Sequence, residues 1–308
     1  MSQSKNIIVV GSINTDMVVM TERFPNPGET ISAEKFFMSL GGKGANQAVA
    51  AARLGTPVAF LSRVGNDAFG SQAIKQLKSE SIDVSCIQID PELSSGVALI
   101  TVDKQAENCI VAASGANACL TFESTGAFAD KITENSIVVI QLEIPMQTIE
   151  KTCLFARSKN ATMILNPAPA QSLTPEILAA VDIITPNQTE AHLLSGIFVT
   201  DEISANLAAN KIRSYGPGVV IITMGSQGAY VCSDKESFMV PALTVDALDT
   251  TAAGDVFNGA LAVGLSRDYS LKEAVSFASK AAAISVTRFG AQDSAPTAAE
   301  LFDFNIKS

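Results

Sequence analysis

The sequence predicts an α/β fold with three layers, in which helices cover both faces of a mostly parallel sheet. Short, almost wholly apolar runs recur along the chain, and such runs are typical of strands buried on both faces. Helical patterns lie between them, and this alternation favours a parallel sheet. With 308 residues, 47% of them hydrophobic, the chain can bury a large core. No repeat or linker divides it, so we expect one domain over residues 1–308.

Six apolar runs predict the strands of the main sheet. They cover residues 6–10, 58–62, 136–141, 162–166, 182–185 and 219–223. Helical patterns lie between and after these runs. They cover residues 44–54, 68–79, 146–158, 187–195, 201–215, 254–266 and 271–287.

Two stretches, residues 16–38 and 94–113, interrupt this alternation. They contain β-type runs at 17–20, 97–102 and 109–113, without an adequate helix between them. We therefore predict a small antiparallel sheet that forms a lid beside the main sheet, built from about 15–39 and 95–114.

Composition and charge exclude several classes of protein. The net charge of −10 argues against a nucleic-acid partner, because phosphate contacts need clustered Lys and Arg. Apolar runs stay well below the roughly 18 residues of a membrane helix, and the run at 7–10 is too short for a signal peptide. The five cysteines are scattered without C-x-x-C spacing, which disfavours a disulfide framework or a zinc site. We predict a reduced, cytoplasmic location.

The strongest local motif runs from Asp249 to Ala260. Its small residues Ala252, Ala253 and Gly254 allow a close approach of backbone to ligand, and a helix is predicted to begin there. The first N–H groups of a helix lack partners and carry the positive end of its dipole, which makes an anion site. Asp255 places a carboxylate beside that anion. The alternative is that Asp255 only stabilises the helix N-terminus.

A second motif, the glycine-rich turn Gly41-Gly42-Lys43-Gly44, precedes a helix of small residues. Asn46 offers a donor and an acceptor, which suits vicinal hydroxyls, although a simple turn with an Asn at the helix entry is the alternative. The turn is not a P-loop, because Gly44 stands where that motif needs Ser or Thr. The single histidine, His192, lies on an apolar helix face and is more typical of a packed or surface residue.

These two motifs, with residues 11–16 upstream, resemble both signatures of the ribokinase or PfkB family of sugar and nucleoside kinases. The resemblance runs from Ile8 to about Pro296. It implies ATP-dependent phosphorylation of D-ribose at its 5-hydroxyl, with Asp255 as the base. It also implies that the amides of Ala252, Ala253 and Gly254 stabilise charge on the transferred phosphoryl group.

The resemblance also implies a sugar site. Its residues would be Asn14, Asp16, Gly41, Gly42, Lys43, Asn46, Glu143 and Asp255. Among them, Asp16 and Glu143 are the acceptors expected to distinguish sugar hydroxyls. Taken singly, Asp16 could be a turn residue and Glu143 a solvated loop acid.

The nucleotide site implied by the resemblance involves residues from four segments. They are Asn187, Thr223, Gly225, Ser226, Gly228, Gly254 and Ser279. Glu190 would act on Mg²⁺ through water, since this ion sheds its hydration shell reluctantly. The Asn187-x-x-Glu190 spacing is also that of a capping box, and residues 223–229 also fit an ordinary hairpin.

A monovalent cation, usually potassium, is the last ligand that the resemblance implies. Its site would be formed by Asp249, Thr251, Ser285, Arg288, Gly290 and Ser294. Carbonyl oxygens make up much of such a site, so the side chain at Arg288 need not matter. The ion would hold the loop 249–254 in place as an activator. The alternative is a loop held only by its own hydrogen bonds.

Several other functions stay open at this stage. The chain could phosphorylate deoxyribose, fructose or a nucleoside, or it could be a non-catalytic sugar-binding regulator. A dinucleotide-dependent oxidoreductase is disfavoured because the glycine fingerprint is missing. The resemblance also implies a homodimer, in which we expect apolar faces of the strands at 17–20 and 97–102 to pair.

Overall fold

The computed structural model describes residues 5–105, 107–122 and 126–304. Residues 1–4 and 305–308 of the predicted domain, and residue 106 of the predicted lid, lie outside the described residues. The strands within the described ranges are β1 (Asn6–Val10), β2 (Asn14–Met20), β3 (Lys35–Gly41), β4 (Val58–Gly65), β5 (Asp83–Asp90), β6 (Gly96–Val102), β7 (Asn108–Ala113), β8 (Ser136–Ile140), β9 (Thr162–Leu165), β10 (Ile183–Ile184), β11 (Val219–Thr223), β12 (Ala229–Cys232) and β13 (Ser237–Val240).

Helices cover both faces of the main sheet. Those within the described ranges are α1 (Lys43–Arg53), α2 (Ala68–Ser79), α3 (Gly126–Ala129), α4 (Met146–Ser158), α5 (Pro175–Ala180), α6 (Gln188–Ser195), α7 (Glu202–Arg213), α8 (Ala253–Ser266), α9 (Leu271–Ser285) and α10 (Ala298–Asp303). All six predicted strands and all seven predicted helices are present, with ends that differ by at most two to three residues.

The main sheet joins nine of the described strands in the order β13-β12-β11-β10-β9-β8-β1-β4-β5. Pairing is parallel from β10 to β5 and between β10 and β11, and antiparallel only at β11–β12 and β12–β13. Successive residues of β1 face opposite layers: Ile7 and Val9 belong to one buried cluster, Ile8 and Val10 to the other. The predicted three-layer, mostly parallel fold is confirmed.

The smaller sheet has the order β3-β2-β6-β7, and its central strands β2 and β6 run parallel. The predicted lid sheet is confirmed and its two outer pairings are antiparallel as expected, but its central pairing is parallel. The reason lies in the main sheet. There β1 and β5 run in the same direction, and β2 and β6 each continue the chain from the carboxyl end of one of them.

Strands β3, β5, β12 and β13 were not predicted as separate strands. Of these, β3 and β5 were missed because neither is an unbroken apolar run. The sheet-edge strand β5 mixes polar and apolar residues, and β3 exposes its first four side chains. Both matter for the site: β3 leads into the glycine-rich turn, and β5 leads into β6 of the lid. Parallel strands present their carboxyl ends at one edge of the sheet, where ligands of α/β folds usually bind.

Candidate active site

The carboxylate of Asp255 lies where the two sequence motifs meet. Asn46 Nδ2 donates to its Oδ2 and Gln47 Nε2 donates to its Oδ1, each over 3.0 Å. These partners are 209 and 208 residues away along the chain. Asp255 is 4% exposed and lines a cavity of about 220 Å³ with Lys43. Its carboxylate therefore lies at a cavity and binds two side chains of α1, besides its place in the first turn of α8.

The start of α8 provides unpaired amides beside this carboxylate. Ala252 adopts a left-handed conformation, with φ of 59°, and the helix begins at Ala253. The Ala253 N–H donates to the carbonyl of Thr250 over 3.2 Å. Within the described ranges, the N–H groups of Gly254 and Asp255 have no acceptor. The amides left for an anion thus include those of Gly254 and Asp255, whereas the amide of Ala253 is engaged in the turn.

Two residues that the sequence reasoning missed hold this helix start in place. Asn258 Nδ2 donates to the carbonyl of Gly254 over 2.8 Å, and the hydroxyl of Thr185 donates to Asn258 Oδ1 over 2.7 Å. Thr185 comes directly after β10, so the carboxyl end of a buried strand supports the start of α8. Both residues line the same cavity as Asp255.

The glycine-rich turn brings the predicted sugar residues of the lid next to the main sheet. Gly42 has a φ of +89°, and a Cβ there would lie 2.7 Å from the backbone nitrogen of Asn14. A Cβ on Gly41 would lie 2.2 Å from Asp16 Oδ2. Both positions need glycine, because a side chain would collide with the very residues expected to contact the sugar.

Glu143 is bound to the turn rather than solvated. Its Oε2 accepts from the hydroxyl of Ser12 over 2.5 Å and from the backbone N–H of Lys43 over 3.0 Å. With Asn14, Glu143 lines a second cavity of about 450 Å³ between the lid and the main sheet. Among the predicted sugar residues, Asn14 and Glu143 line this cavity, and Lys43 and Asp255 line the one described above. The remaining four line neither cavity: Asp16, Gly41, Gly42 and Asn46. The contact between Glu143 and Lys43 joins the two groups.

Negative charge is concentrated around these cavities. Burial, with the nearby charges of Glu143 and Asp255, raises the pKa of Asp16 to about 6. The charge of Asp255, then those of Glu143 and Glu190, raise the pKa of Lys43 against the opposing effect of burial. Lys43 is consequently held as a cation by three carboxyl groups, those of Asp255, Glu143 and Glu190.

The pair Asn187 and Glu190 forms a complete capping box at the start of α6. Glu190 Oε2 accepts from Asn187 N over 2.8 Å, and Asn187 Oδ1 accepts from Glu190 N over 2.9 Å. Both residues still line the cavity beside Asp255. Burial raises the pKa of Glu190. The described residues contain no cluster of three or more His, Cys, Asp or Glu able to enclose a metal ion.

Only some of the predicted nucleotide residues line the cavity beside Asp255. Thr223 lines the cavity and bridges to Asn187, whereas Gly225, Ser226 and Gly228 lie in the β11–β12 hairpin outside its lining. A Cβ on Gly228 would lie 2.1 Å from the carbonyl oxygen of Val240, so this glycine serves the hairpin. Ser279 is half-buried on α9 and does not line either cavity.

The predicted cation loop is tied together by Asp249. Its two carboxylate oxygens accept from Thr251 N and Gly290 N, each over 2.9 Å. Arg288 pairs with Glu300 over 2.8 Å, so its side chain is engaged away from Asp249. The buried hydroxyls of the two predicted serines are also engaged. Ser285 donates to Ala282 O and Ser294 to Ala291 O.

The sequence reasoning also missed a group of buried amide side chains that is linked to Asp255 by hydrogen bonds. Gln47, Gln141 and Asn166 are buried, and Gln47 is hydrogen-bonded to both of the others and to Asp255. Gln141 and Asn166 directly follow β8 and β9. Polar residues at the carboxyl ends of buried strands are a signal that sequence reasoning could have used. Asn117 was missed as well; its Nδ2 donates to Asn14 Oδ1 over 2.9 Å.

Comparison with known proteins identifies the family. The model for "pfkB family carbohydrate kinase" matches residues 4–298. The chain belongs to this family. Because that match spans nearly the whole sequence, the family assignment covers the lid, the glycine-rich turn and the helix start at Ala253 alike.

Named relatives extend the comparison. Ribokinase from Haemophilus influenzae is 43% identical over 300 residues, which cover 97% of this chain and 98% of that protein. Deoxyribokinase from Salmonella typhi is 36% identical, covering 95% and 96%. The structure of Arabidopsis thaliana ribokinase complexed with ribose and ATP superposes with a TM-score of 0.92 at 29% identity, covering 98% and 100%. Within the described ranges, this chain has no helix long and apolar enough to cross a membrane.

Proposed function

We propose that this chain transfers the γ-phosphoryl group of ATP to the 5-hydroxyl of D-ribose, giving D-ribose 5-phosphate and ADP. The observation that carries the proposal is the position of Asp255. Its buried carboxylate lies beside unpaired amides at the start of α8 and within hydrogen-bonding distance of the helix that follows the glycine-rich turn. An acceptor for a hydroxyl proton and donors for a phosphoryl group are therefore adjacent.

The chemistry assigned to Asp255 is general base catalysis. A carboxylate is too weak a base to ionise an alcohol outright, since its reference pKa is about 3.9. It can accept the hydroxyl proton while the new oxygen–phosphorus bond forms and the bond to the β-phosphate oxygen breaks. Catalysis of this kind typically contributes about 10²–10⁴-fold to the rate.

Charge on the transferred group would be stabilised by the start of α8 and by Lys43. The unpaired amides of Gly254 and Asp255 point their dipoles at an anion, and Lys43 adds a full positive charge in the same cavity. Mg²⁺ bound with ATP supplies further neutralisation of phosphate charge. The buried Glu190 fits this ion through water, because both of its oxygens already accept hydrogen bonds from Asn187.

Sugar recognition would use the unsatisfied polar atoms at the turn. Asn46 Oδ1 is buried and, within the described ranges, has no hydrogen-bond partner, which suits a sugar hydroxyl. Ser12 and Lys43 occupy Glu143 Oε2, so Glu143 Oε1 is left as the acceptor for a ligand. Asp16 adds a second carboxylate beside Gly41.

Other sugars are the main alternative substrates. The 36% identity to a deoxyribokinase favours deoxyribose as the second candidate, since the same turn could hold a sugar that lacks one hydroxyl. A non-catalytic sugar-binding regulator is a weaker candidate, because binding alone does not require a buried carboxylate beside unpaired amides.

We also propose potassium as an activator of this chain and the cytoplasm as its location. Asp249 and the backbone carbonyls of the segment from Ser285 to Ser294 offer the oxygen atoms that such a cation prefers, and Asp249 already joins the loop before α8 to Gly290. All five cysteines are free, which supports a reducing compartment.

A coupled assay of ADP release tests the substrate and the cation together. With ATP, Mg²⁺ and KCl, we expect turnover to rank ribose above deoxyribose, fructose and adenosine. Exchanging KCl for NaCl or LiCl should depress the rate at fixed ATP and ribose, because smaller ions fit a carbonyl site poorly. Preference for another sugar would contradict the proposed substrate. Indifference to the cation would contradict the potassium site alone.

The lid provides the surface for the proposed homodimer. Its exposed apolar residues lie mainly on the outer strands β3 and β7, such as Phe36 at 58% and Val111 at 63% exposure. Strands β2 and β6, where we expected the apolar face, are mostly half-buried and contribute chiefly Met20 and Leu99. Exposed apolar patches of this kind typically mark interfaces.

Light scattering at micromolar concentration should therefore give about twice the mass of 32.1 kDa. The double variant Phe36→Ser, Val111→Ser should shift the protein towards 32.1 kDa without changing its circular dichroism. A monomeric wild type would contradict the dimer.

A further inference from the structure

We propose that Gln47 is a positioning residue for the reaction: it holds the carboxylate of Asp255 in the orientation that accepts the substrate proton. The inference rests on the proposed function, because it takes Asp255 as the base. Gln47 lies outside both cavities, so it acts through Asp255 and does not contact the sugar or the nucleotide itself.

The hydrogen bonds of Gln47 leave one orientation for its amide. Its Nε2 donates to Asp255 Oδ1 over 3.0 Å and to Asn166 Oδ1 over 3.1 Å. Its Oε1 accepts from Gln141 Nε2 over 2.6 Å. An ionised carboxylate only accepts hydrogen bonds, so the nitrogen of Gln47 must face Asp255. All polar atoms of this side chain are satisfied.

The apolar surroundings of Gln47 in α1 support a role in binding Asp255. The residue is 0% exposed, and its neighbours along the helix are mostly small and apolar, such as Ala45, Ala48 and Ala51. A glutamine buried among such residues costs free energy unless its amide is fully bonded. An apolar side chain would fill the position without this requirement, but it could not bind Asp255.

The two amides of α1 together restrain the carboxylate plane. Gln47 binds Oδ1 and Asn46 binds Oδ2, so rotation about the Cβ–Cγ bond of Asp255 would break one of the two contacts. Each oxygen keeps a second lone pair, and one of these can accept from the substrate hydroxyl. Because Lys43 and Asn46 lie on the same helix, the base is held in register with the sugar site.

The test compares two identical substitutions within one hydrogen-bonded group. In Gln47→Met the contact to Asp255 is lost, whereas Gln141→Met removes a buried amide that binds Gln47 but does not touch Asp255 and does not line a cavity. We expect kcat of Gln47→Met to fall about 10²-fold, the scale expected for a reacting group displaced by about 1 Å. The KM for ribose should stay within about threefold, and Gln141→Met should lose much less kcat than Gln47→Met, because Gln47 then keeps its own contact to Asp255.

Thermal unfolding of both variants separates positioning from stability. Equal losses of kcat in the two variants, or a loss that follows the melting temperature, would overturn the inference. Should Gln47→Met fail to fold, Gln47→Glu keeps the shape but turns a carboxylate oxygen towards Asp255, and it should lower kcat at least as much. Unchanged kcat in that variant would also overturn the inference.

The outcome is distinguishable from failure of the proposed function. If the wild type prefers another sugar in the assay of ADP release, the same comparison is made with that sugar. A crystal structure of the Gln47→Met or Gln47→Glu variant provides a readout that needs no substrate. We expect the Asp255 carboxylate to rotate away from its wild-type orientation, and a carboxylate that stays in place would overturn the inference.

Discussion

The substitution Asp255→Asn is expected to lower kcat for ribose phosphorylation by at least about 10²-fold while the dissociation constant for ribose changes little. An amide keeps the shape of the side chain but cannot accept the hydroxyl proton as the oxygen–phosphorus bond forms. The loss should appear in kcat and in kcat/KM equally, as for an interaction made only in the transition state. Single-turnover ADP formation and calorimetric ribose binding measure the two quantities.

Asp249→Asn is a suitable control, because Asp249 precedes the same helix but is engaged with Thr251 and Gly290 rather than with the cavity. It should alter the response to potassium and leave a measurable rate. Full turnover in Asp255→Asn would remove the assigned base and, with it, the main support for the kinase proposal.

The second large effect is expected on ribose binding in Asp16→Ala. A hydrogen bond to a charged group contributes about 1.5–3 kcal/mol, so the dissociation constant for ribose should rise roughly 10- to 10²-fold. Turnover at saturating ribose should change much less, because Asp16 is not placed at the transferred group. Calorimetric titration measures the binding, and an unchanged dissociation constant would show that the sugar site lies elsewhere.

The pH dependence of ribose binding provides an independent check on Asp16. Burial and the nearby charges of Glu143 and Asp255 raise its pKa in the folded protein to about 6, from an ordinary value of 3.8. Between these two values the folded state holds more protons than the unfolded state, so the contribution of Asp16 to stability falls as pH rises through this window. Ribose hydroxyls need the ionised acceptor, so affinity should instead rise with pH, roughly tenfold between about pH 5 and about pH 7.5.

The variant Asp16→Asn should remove most of this pH dependence, because an amide does not titrate. It also relieves part of the repulsion among Asp16, Glu143 and Asp255. A wild-type ribose affinity that stays flat across the window would contradict the role of Asp16 as an ionised acceptor.

The order of strands and helices along the chain could be predicted because each depends on local patterns. Strands β1 and β11 and helices α2 and α4 have the predicted bounds, since burial on both faces or one apolar stripe determines their residues. The lid sheet was predicted only in outline. Its parallel central pair depends on which strands of the main sheet precede β2 and β6, and that depends on contacts between distant residues.

The candidate site likewise combines features that could be predicted from local sequence with contacts that could not. The fold class, the glycine-rich turn and the carboxylate at position 255 could be predicted, because backbone freedom and helix starts are visible in neighbouring residues. The sequence did not predict that Asn46 and Gln47 bind Asp255 or that Ser12 and Lys43 hold Glu143, and both were found only in the folded chain. These contacts join residues far apart in sequence, and hydrogen bonds act only over about 3 Å.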